Sequence, residues 1–125
     1  MKIANPTAKL GEDLASEYLA QHGYTILERN FRTRNGEIDI IAVTNDEKTK
    51  EHVLVFVEVK TRTSYRYGIP LEAITYQKLQ SLLKTAAYYT ALHKHLPSLQ
   101  RMDAVSVDLT HQVPQIEVHQ NITTF

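Results

Sequence analysis

The sequence contains no cysteine and no tryptophan, only four glycines and four prolines, and no excess of either charge. Without cysteine, the chain cannot form disulfide bonds or bind zinc through thiolates, a composition that is compatible with the cytosol. No apolar stretch approaches the roughly 20 residues of a transmembrane helix, and Met1–Pro6 lacks the apolar centre of a signal peptide. We therefore expect a cytoplasmic protein that does not enter a membrane.

The balance of charge limits how the protein could bind nucleic acid. Lysine and arginine together number 14, as do aspartate and glutamate, so the formal net charge is zero. Attraction to nucleic acid must then come from a local basic patch. The few glycines form neither a G-x-G-x-x-G motif nor a P-loop, which argues against a nucleotide-binding loop. An enzyme whose acidic metal site offsets its phosphate contacts remains compatible with this composition.

A chain of 125 residues is long enough for one hydrophobic core, so we expect a single domain over residues 1–125. Its apolar periodicity predicts the order α-β-β-β-α-β-β, which is an α/β fold. The first helix is expected to begin at Asn5-Pro6-Thr7, to end at Gly23, and to place Leu10, Leu14 and Tyr18 on one apolar side. The later elements are expected at Tyr24–Phe31, Glu37–Thr44, Val53–Thr61, a helix over about Ile74–Leu92, Val105–Leu109 and Ile116–Val118.

Two of these strands carry charge where a strand usually carries none. Val53–Val59 is almost wholly apolar, which is typical of a strand buried on both faces. Glu58 and Lys60 lie at its end, two residues apart and so on one face. Buried charges are costly unless they are paired or bound to a metal. This strand end is therefore a candidate functional site.

The preceding strand supplies a second acid. If the central hairpin pairs symmetrically about its loop, Thr44 lies near Val53 and Asp39 lies near Glu58, with Cβ atoms roughly 4.5–5.5 Å apart. Two carboxylates at that distance repel each other, and a divalent cation between them removes the repulsion. Mg²⁺ or Mn²⁺ suits such an oxygen-rich site. The alternative is a structural ion-pair cluster at the edge of a sheet.

Three neighbours complete the predicted site. The carbonyl of Val59 is a candidate metal ligand, and the ammonium of Lys60 could position or deprotonate an attacking water. Glu12 falls at the border of the first helix's apolar arc, so it could reach towards the sheet, whereas Asp13 should remain solvated. The alternative for Glu12 is a solvated acid near a helix N-terminus. Glu37 shares a face with Asp39 and is either an additional acid or a turn cap.

Several segments resemble the YraN-like family, a bacterial family of uncharacterised proteins regarded as predicted endonucleases. That family is similar to archaeal Holliday-junction resolvases and to the PD-(D/E)xK, restriction-endonuclease-like superfamily. The resemblance rests on Gly-Glu-x-Leu-Ala around Glu12, Gly-Tyr-x-Ile-Leu-x-Arg-Asn at Gly23–Asn30, Gly-Glu-Ile-Asp-Ile-Ile at Gly36–Ile41, Val-Phe-Val-Glu-Val-Lys-Thr-Arg at Val55–Arg62, and Arg101-Met102-Asp103.

The resemblance implies a restriction-endonuclease-like αβββαβ core, with a mixed central sheet flanked by helices. It also implies that Asp39, Glu58 and Lys60 are the nuclease signature, with Glu12 as the acid of the first helix. Gln77 or Lys78 matches the polar position of the second helix. Ile38 stands where the signature often has proline.

Basic residues near this site are candidate contacts to nucleic acid, because arginine offers forked donors to phosphate. They could equally form a solvated turn and a packed loop, and Arg29 could instead pair with an acid of the fold. The candidates are Arg29, Arg32, Arg34, Arg62, Arg66 and Lys78, with Tyr65 and Tyr67 interleaved among them.

Three hypotheses follow from the sequence. The first is a Mg²⁺- or Mn²⁺-dependent endonuclease that cuts DNA, including branched or structured DNA, as a monomer or as a homodimer. The second is a nucleic-acid-binding module that keeps the nuclease fold but does not cut. The third is a protein-interaction subunit that uses Leu82, Leu83 and Tyr89 of the second helix as its interface.

Overall fold

A computed structural model describes residues 5–64 and 74–123 of the chain. The seven elements follow the predicted order, and both strands of the central hairpin extend one residue further at each end than predicted. The elements are α1 (Pro6–Gln21), β1 (Thr25–Thr33), β2 (Gly36–Asn45), β3 (His52–Arg62), α2 (Tyr76–Leu92), β4 (Gln100–Asp108) and β5 (Gln115–His119).

The five strands form one mixed sheet in the order β1-β2-β3-β4-β5. Among the strands of residues 5–64 and 74–123, only β3 and β4 run parallel to each other. α2 lies in the connection between them, as a parallel crossover requires. The αβββαβ core predicted from the resemblance is therefore confirmed. β4 begins at Gln100, earlier than predicted from the alternation of Val105 and Val107. The alternation was misleading because both faces of β4 are buried, so that Ala104 and Ser106 also lie in the interior.

α1 covers one face of the sheet through a stripe of small and apolar residues. Gly11, Ala15 and Leu19 are its buried positions. The predicted apolar side is confirmed only for Leu14, which packs against this core. Leu10 is 48% exposed and Tyr18 is only partly buried. Gly11 and Ala15 permit a closer approach of α1 to the strands than leucines at these positions would allow.

α2 covers the opposite face of the sheet and begins at Thr75, whose side chain accepts a hydrogen bond from the Lys78 N–H. Leu82 and Tyr89 are buried there in a cluster with Phe56 of β3. They cannot form the interface predicted for this helix, and of that predicted trio only Leu83 is exposed. In the described part of the chain, neither helix has the length and apolar character needed to cross a membrane.

Candidate functional site

The two central strands separate just before they reach the candidate acids. The β2–β3 ladder keeps the predicted register and ends at the pair Ile40–Val57. Beyond that pair, β2 remains bonded to β1 and β3 remains bonded to β4. Ile38 packs on the α2 side and Ile40 on the α1 side, although residues two apart normally share a face. The backbone of β2 therefore twists at Asp39.

Asp39 and Glu58 meet at the point where the strands separate. The N–H of Val59 donates a 2.8 Å hydrogen bond to Asp39 Oδ2, so this carboxylate uses an amide that the β2–β3 ladder no longer engages. Glu58 lies close enough to raise the pKa of Asp39. The structure thus brings the two acids together, as the predicted register required. The metal-ligand role of the Val59 carbonyl stays a prediction.

The electrostatics of Asp39 reflect this crowding. Burial, assisted by the adjacent Glu58 charge, raises the pKa of Asp39 to about 8. The Val59 N–H opposes the shift, and the charge of Glu12 adds to it. This raised pKa favours the protonated form of Asp39 at neutral pH.

Two lysines supply positive charge on the other side of Glu58. Lys60 Nζ lies 3.2 Å from Glu58 Oε1, and Lys78 Nζ lies 3.4 Å from the same oxygen. The Glu58 side chain is only 5% exposed, so both contacts operate in a partly dehydrated environment. Lys60 shares the face of Glu58 as predicted. Of the two candidates on the second helix, Lys78 contacts the site, whereas Gln77 is exposed.

Glu12 approaches the same region from α1. Its side chain is 17% exposed, against 42% for that of Asp13, which agrees with the predicted orientation of the two acids. Arg29 Nη2 lies 3.7 Å from Glu12 and 2.8 Å from Asp13. Burial raises the pKa of Glu12, and the Arg29 charge opposes that shift. Glu12 is close enough to Asp39 for its charge to raise the pKa of Asp39 further.

The predicted basic cluster is largely neutralised by acids from other elements. Arg29 pairs with the acids of α1, and Arg32 Nε lies 3.3 Å from Glu37 Oε1. Glu37 thus faces Arg32, and its charge also raises the pKa of Glu12. Arg34 is exposed in the β1–β2 turn, and Arg62 is partly buried at the end of β3. Arg66, together with Tyr65 and Tyr67, lies outside the described residues.

The side chains at this site fit a metal that needs few protein ligands. Across residues 5–64 and 74–123, no three histidine, cysteine, aspartate or glutamate side chains converge as a metal site. Asp39 and Glu58 offer two adjacent carboxylates, with Glu12 nearby as a charge rather than a third converging ligand. Mg²⁺ commonly binds one or two carboxylates and completes its octahedron with water and phosphate. An all-oxygen pair of this kind suits Mg²⁺ or Mn²⁺.

A second charged network, which the sequence did not reveal, surrounds the Arg101-Met102-Asp103 segment. Arg101 donates two hydrogen bonds of 2.9 Å to the fully buried Asp103. Its Nη2 also lies 3.0 Å from the Tyr24 hydroxyl, and the N–H of Asn121 donates to Asp103 at 3.0 Å. These contacts join the end of α1 to β4 and to the segment after β5.

This network lies on the opposite side of the sheet from Glu58. Asp103 pairs in register with Val57, whose side chain belongs to the core beneath α1. Glu58 is the next residue of the strand and therefore points towards α2. The Arg101–Asp103 pair is a structural ion pair, and its only sequence signal was the resemblance of the Arg-x-Asp segment.

Comparison with known proteins places the chain in a family. Residues 11–107 match the family described as uncharacterised protein family UPF0102. A UPF0102 protein of Geobacter metallireducens is 50% identical over 107 residues, covering 86% of this chain and 83% of the relative. A UPF0102 protein of Dehalococcoides mccartyi is 39% identical over 117 residues, covering 92% and 90%. These matches confirm the resemblance to the YraN-like family, and the chain belongs to the UPF0102 family.

Proposed function

We propose that this protein is a metal-dependent endonuclease that hydrolyses phosphodiester bonds in DNA. The observation that carries the proposal is the meeting of Asp39 and Glu58 where β2 and β3 separate, with the ammonium of Lys60 3.2 Å from Glu58. The same three residues match the PD-(D/E)xK signature that the sequence resembles. A bacterial enzyme acting on chromosomal DNA would work in the cytoplasm.

In this proposal, Asp39 and Glu58 hold Mg²⁺ or Mn²⁺, and the Val59 carbonyl completes the protein's share of ligands. The bound metal would supply Lewis-acid stabilisation of the phosphate and lower the pKa of a water molecule. Asp39 must release its proton before it can act as a ligand. Lys60 would orient the attacking water or neutralise charge on the phosphate oxygens.

Two groups that would contact DNA belong to α2 and to the turn that packs against it. Lys78 reaches it from α2, and Arg34 stands in the β1–β2 turn. That turn is fixed against α2, because the Ser81 hydroxyl donates a 2.6 Å hydrogen bond to the Asn35 carbonyl. Lys78 and Arg34 would bind backbone phosphates, with Arg29, Arg32, Arg62 and Arg66 as further candidates. Such contacts position the nucleic acid without reading its sequence.

Incubation with branched, nicked, duplex and single-stranded DNA in the presence of Mn²⁺ tests the proposal directly. Cleavage by the wild-type protein should be lost in Asp39→Asn and in Lys60→Met, which change the proposed site while approximately preserving side-chain size. Lys94→Met removes an exposed lysine just beyond α2 and should cut like the wild type. Cleavage that survives in both site variants would reject the proposed site.

A nucleic-acid-binding module that does not cut is the second candidate. Two observations favour it: the described residues contain no three-ligand metal group, and both nearby ammonium groups are engaged by Glu58. This candidate predicts salt-sensitive DNA binding that is weakened by Arg34→Ala but unaffected by Mn²⁺. Stabilisation of the protein by Mn²⁺ that disappears in Asp39→Asn would favour the nuclease instead.

A further inference from the structure

α1 approaches β3 closely at Gly11. A Cβ atom built on Gly11 would lie 2.8 Å from Thr61 Cβ and 2.9 Å from Thr61 Cγ2, and nearer still to Thr61 Oγ1. Separations below 3.0 Å are essentially never found for real Cβ atoms. The rest of α1 is regular helix, in which glycine costs about 1 kcal/mol relative to alanine. What requires glycine at this position is therefore the contact with β3.

This contact sets the distance between the first turns of α1 and the end of β3, where the candidate site lies. Glu12 follows Gly11 directly, and its partly buried carboxylate lies 3.7 Å from Arg29 Nη2. Arg29 pairs with Ile40, the residue after Asp39, in the β1–β2 ladder, so this contact places Glu12 near Asp39. The effect of the Glu12 charge on the pKa of Asp39 agrees with that placement. Thr61 follows Lys60 on β3, so the glycine rests on the same strand end that carries the proposed catalytic groups. Any side chain at Gly11 would lift this turn of the helix away from β3 and carry Glu12 with it.

We infer that Gly11 is a positioning residue whose missing side chain lets α1 approach Thr61 closely enough to hold Glu12 near Asp39. The catalytic importance of the Glu12 position rests on the proposed function. The position of Glu12 itself does not depend on that proposal. Residues outside the ligands of a metal commonly change its affinity by 10–100-fold when they are altered.

A set of four variants tests the inference. Gly11→Ala should move the Glu12 carboxylate away from Asp39 in a crystal structure and weaken Mn²⁺ binding about tenfold. Gly11→Ala combined with Thr61→Gly removes the clashing side chain and should restore both the position of Glu12 and the Mn²⁺ affinity, relative to Thr61→Gly alone. Ala15→Gly is the matched control, since it weakens the same helix stripe without adding an atom near Thr61.

The outcomes separate this inference from the proposed function. If no variant binds Mn²⁺ and none cuts DNA, the crystal structures still show whether Glu12 moves in Gly11→Ala and returns in the double variant. If Gly11→Ala does not fold, Glu12→Gln is introduced into the folded Gly11→Ala/Thr61→Gly protein. The inference then requires that Glu12→Gln weakens Mn²⁺ binding in that protein about as much as it does in the wild type. An unshifted Glu12 carboxylate in Gly11→Ala, or a double variant without recovery, overturns the inference.

Discussion

The N–H of Val59 holds the carboxylate of Asp39 at 2.8 Å where the ladder between the two central strands has ended. The Asp39 carboxylate of β2 thus accepts the hydrogen bond that a backbone carbonyl of β2 would accept from β3 in a continuous ladder. A polar site forms where the β2–β3 ladder is interrupted, because this hydrogen bond holds Asp39 against Glu58. Both strands remain paired with their outer neighbours, β2 with β1 and β3 with β4. Four predictions follow from this arrangement and from the buried pair on the other face.

The first prediction concerns the pH dependence of stability in the metal-free protein. Because the pKa of Asp39 is raised from an ordinary 3.8 to about 8, the folded state binds this proton more tightly than the unfolded state. Its stabilisation is complete below about pH 4 and is lost as the pH rises to about 8. Asp39→Asn lacks this loss, so its unfolding free energy should rise relative to the wild type across that window.

Urea unfolding of both proteins at a series of pH values measures this difference. Each pKa unit corresponds to about 1.4 kcal/mol, so a difference of a few kcal/mol is expected above pH 8. Comparing the two proteins cancels the titration of carboxylates that do not interact with Asp39. A difference between the curves that stays constant from pH 4 to pH 9 would contradict the burial of Asp39 beside an acid.

The second prediction assigns part of that pKa shift to Glu58. Glu58→Gln keeps the side chain's size but removes the charge next to Asp39, so the pKa of Asp39 should fall from about 8 towards its ordinary range. It should remain raised to some extent because burial is the largest cause. NMR titration of the Asp39 carboxyl carbon checks this, with Glu117→Gln, an exposed acid on β5, as the control. An unaltered titration in Glu58→Gln would show that the two acids do not interact.

The third prediction separates the two lysines that share Glu58. Lys60→Met should reduce DNA cleavage by at least about 100-fold while leaving DNA affinity nearly unchanged, because its ammonium acts on the reacting groups. Lys78→Met, on α2, should instead weaken DNA binding and reduce the salt dependence of that binding. Single-turnover kinetics and binding isotherms at several salt concentrations distinguish these effects. Equal losses of affinity in both variants would contradict the division of roles.

The fourth prediction is that Asp103 is structural. Asp103→Ala removes the ion-pair partner of Arg101, whose side chain is only 14% exposed, and should cost about 3 kcal/mol of unfolding free energy. Cleavage per folded molecule should stay at the wild-type level, because the pair lies on the opposite face of the sheet from Glu58. Chemical denaturation and activity normalised to the folded fraction test the two halves. Loss of cleavage in a fully folded Asp103→Ala protein would refute the structural role.

The central hairpin was predictable because its register is fixed by local rules. A short polar loop and two apolar runs set the pairing of Thr44 with Val53, and symmetry then carried the prediction to Asp39 and Glu58. The apolar periodicity of β2 and β3 could not show that their ladder ends at Ile40. The end of the ladder depends on the pairing of β2 with β1 and of β3 with β4.

The errors arose where packing depends on partners distant in sequence. The buried side of α1 is determined by the contact between Gly11 and Thr61. A hydrophobic pattern cannot show this contact, because the pattern predicts that Leu10, which is exposed, faces the core. The neutralisation of Arg29 by acids of α1 was left open for the same reason. Arg101 and Asp103 are near each other in sequence, but their burial depends on Tyr24, which lies far away along the chain.

The most direct test of the central claim is a crystal of the wild-type protein soaked in Mn²⁺ at about pH 8, with anomalous diffraction recorded to locate the metal. The account predicts one anomalous peak bound by carboxylate oxygens of both Asp39 and Glu58, with Lys60 moved away from Glu58. The peak should be absent from Asp39→Asn crystals treated identically. Wild-type crystals that show no peak between these carboxylates, or that bind Mn²⁺ only elsewhere, would contradict it.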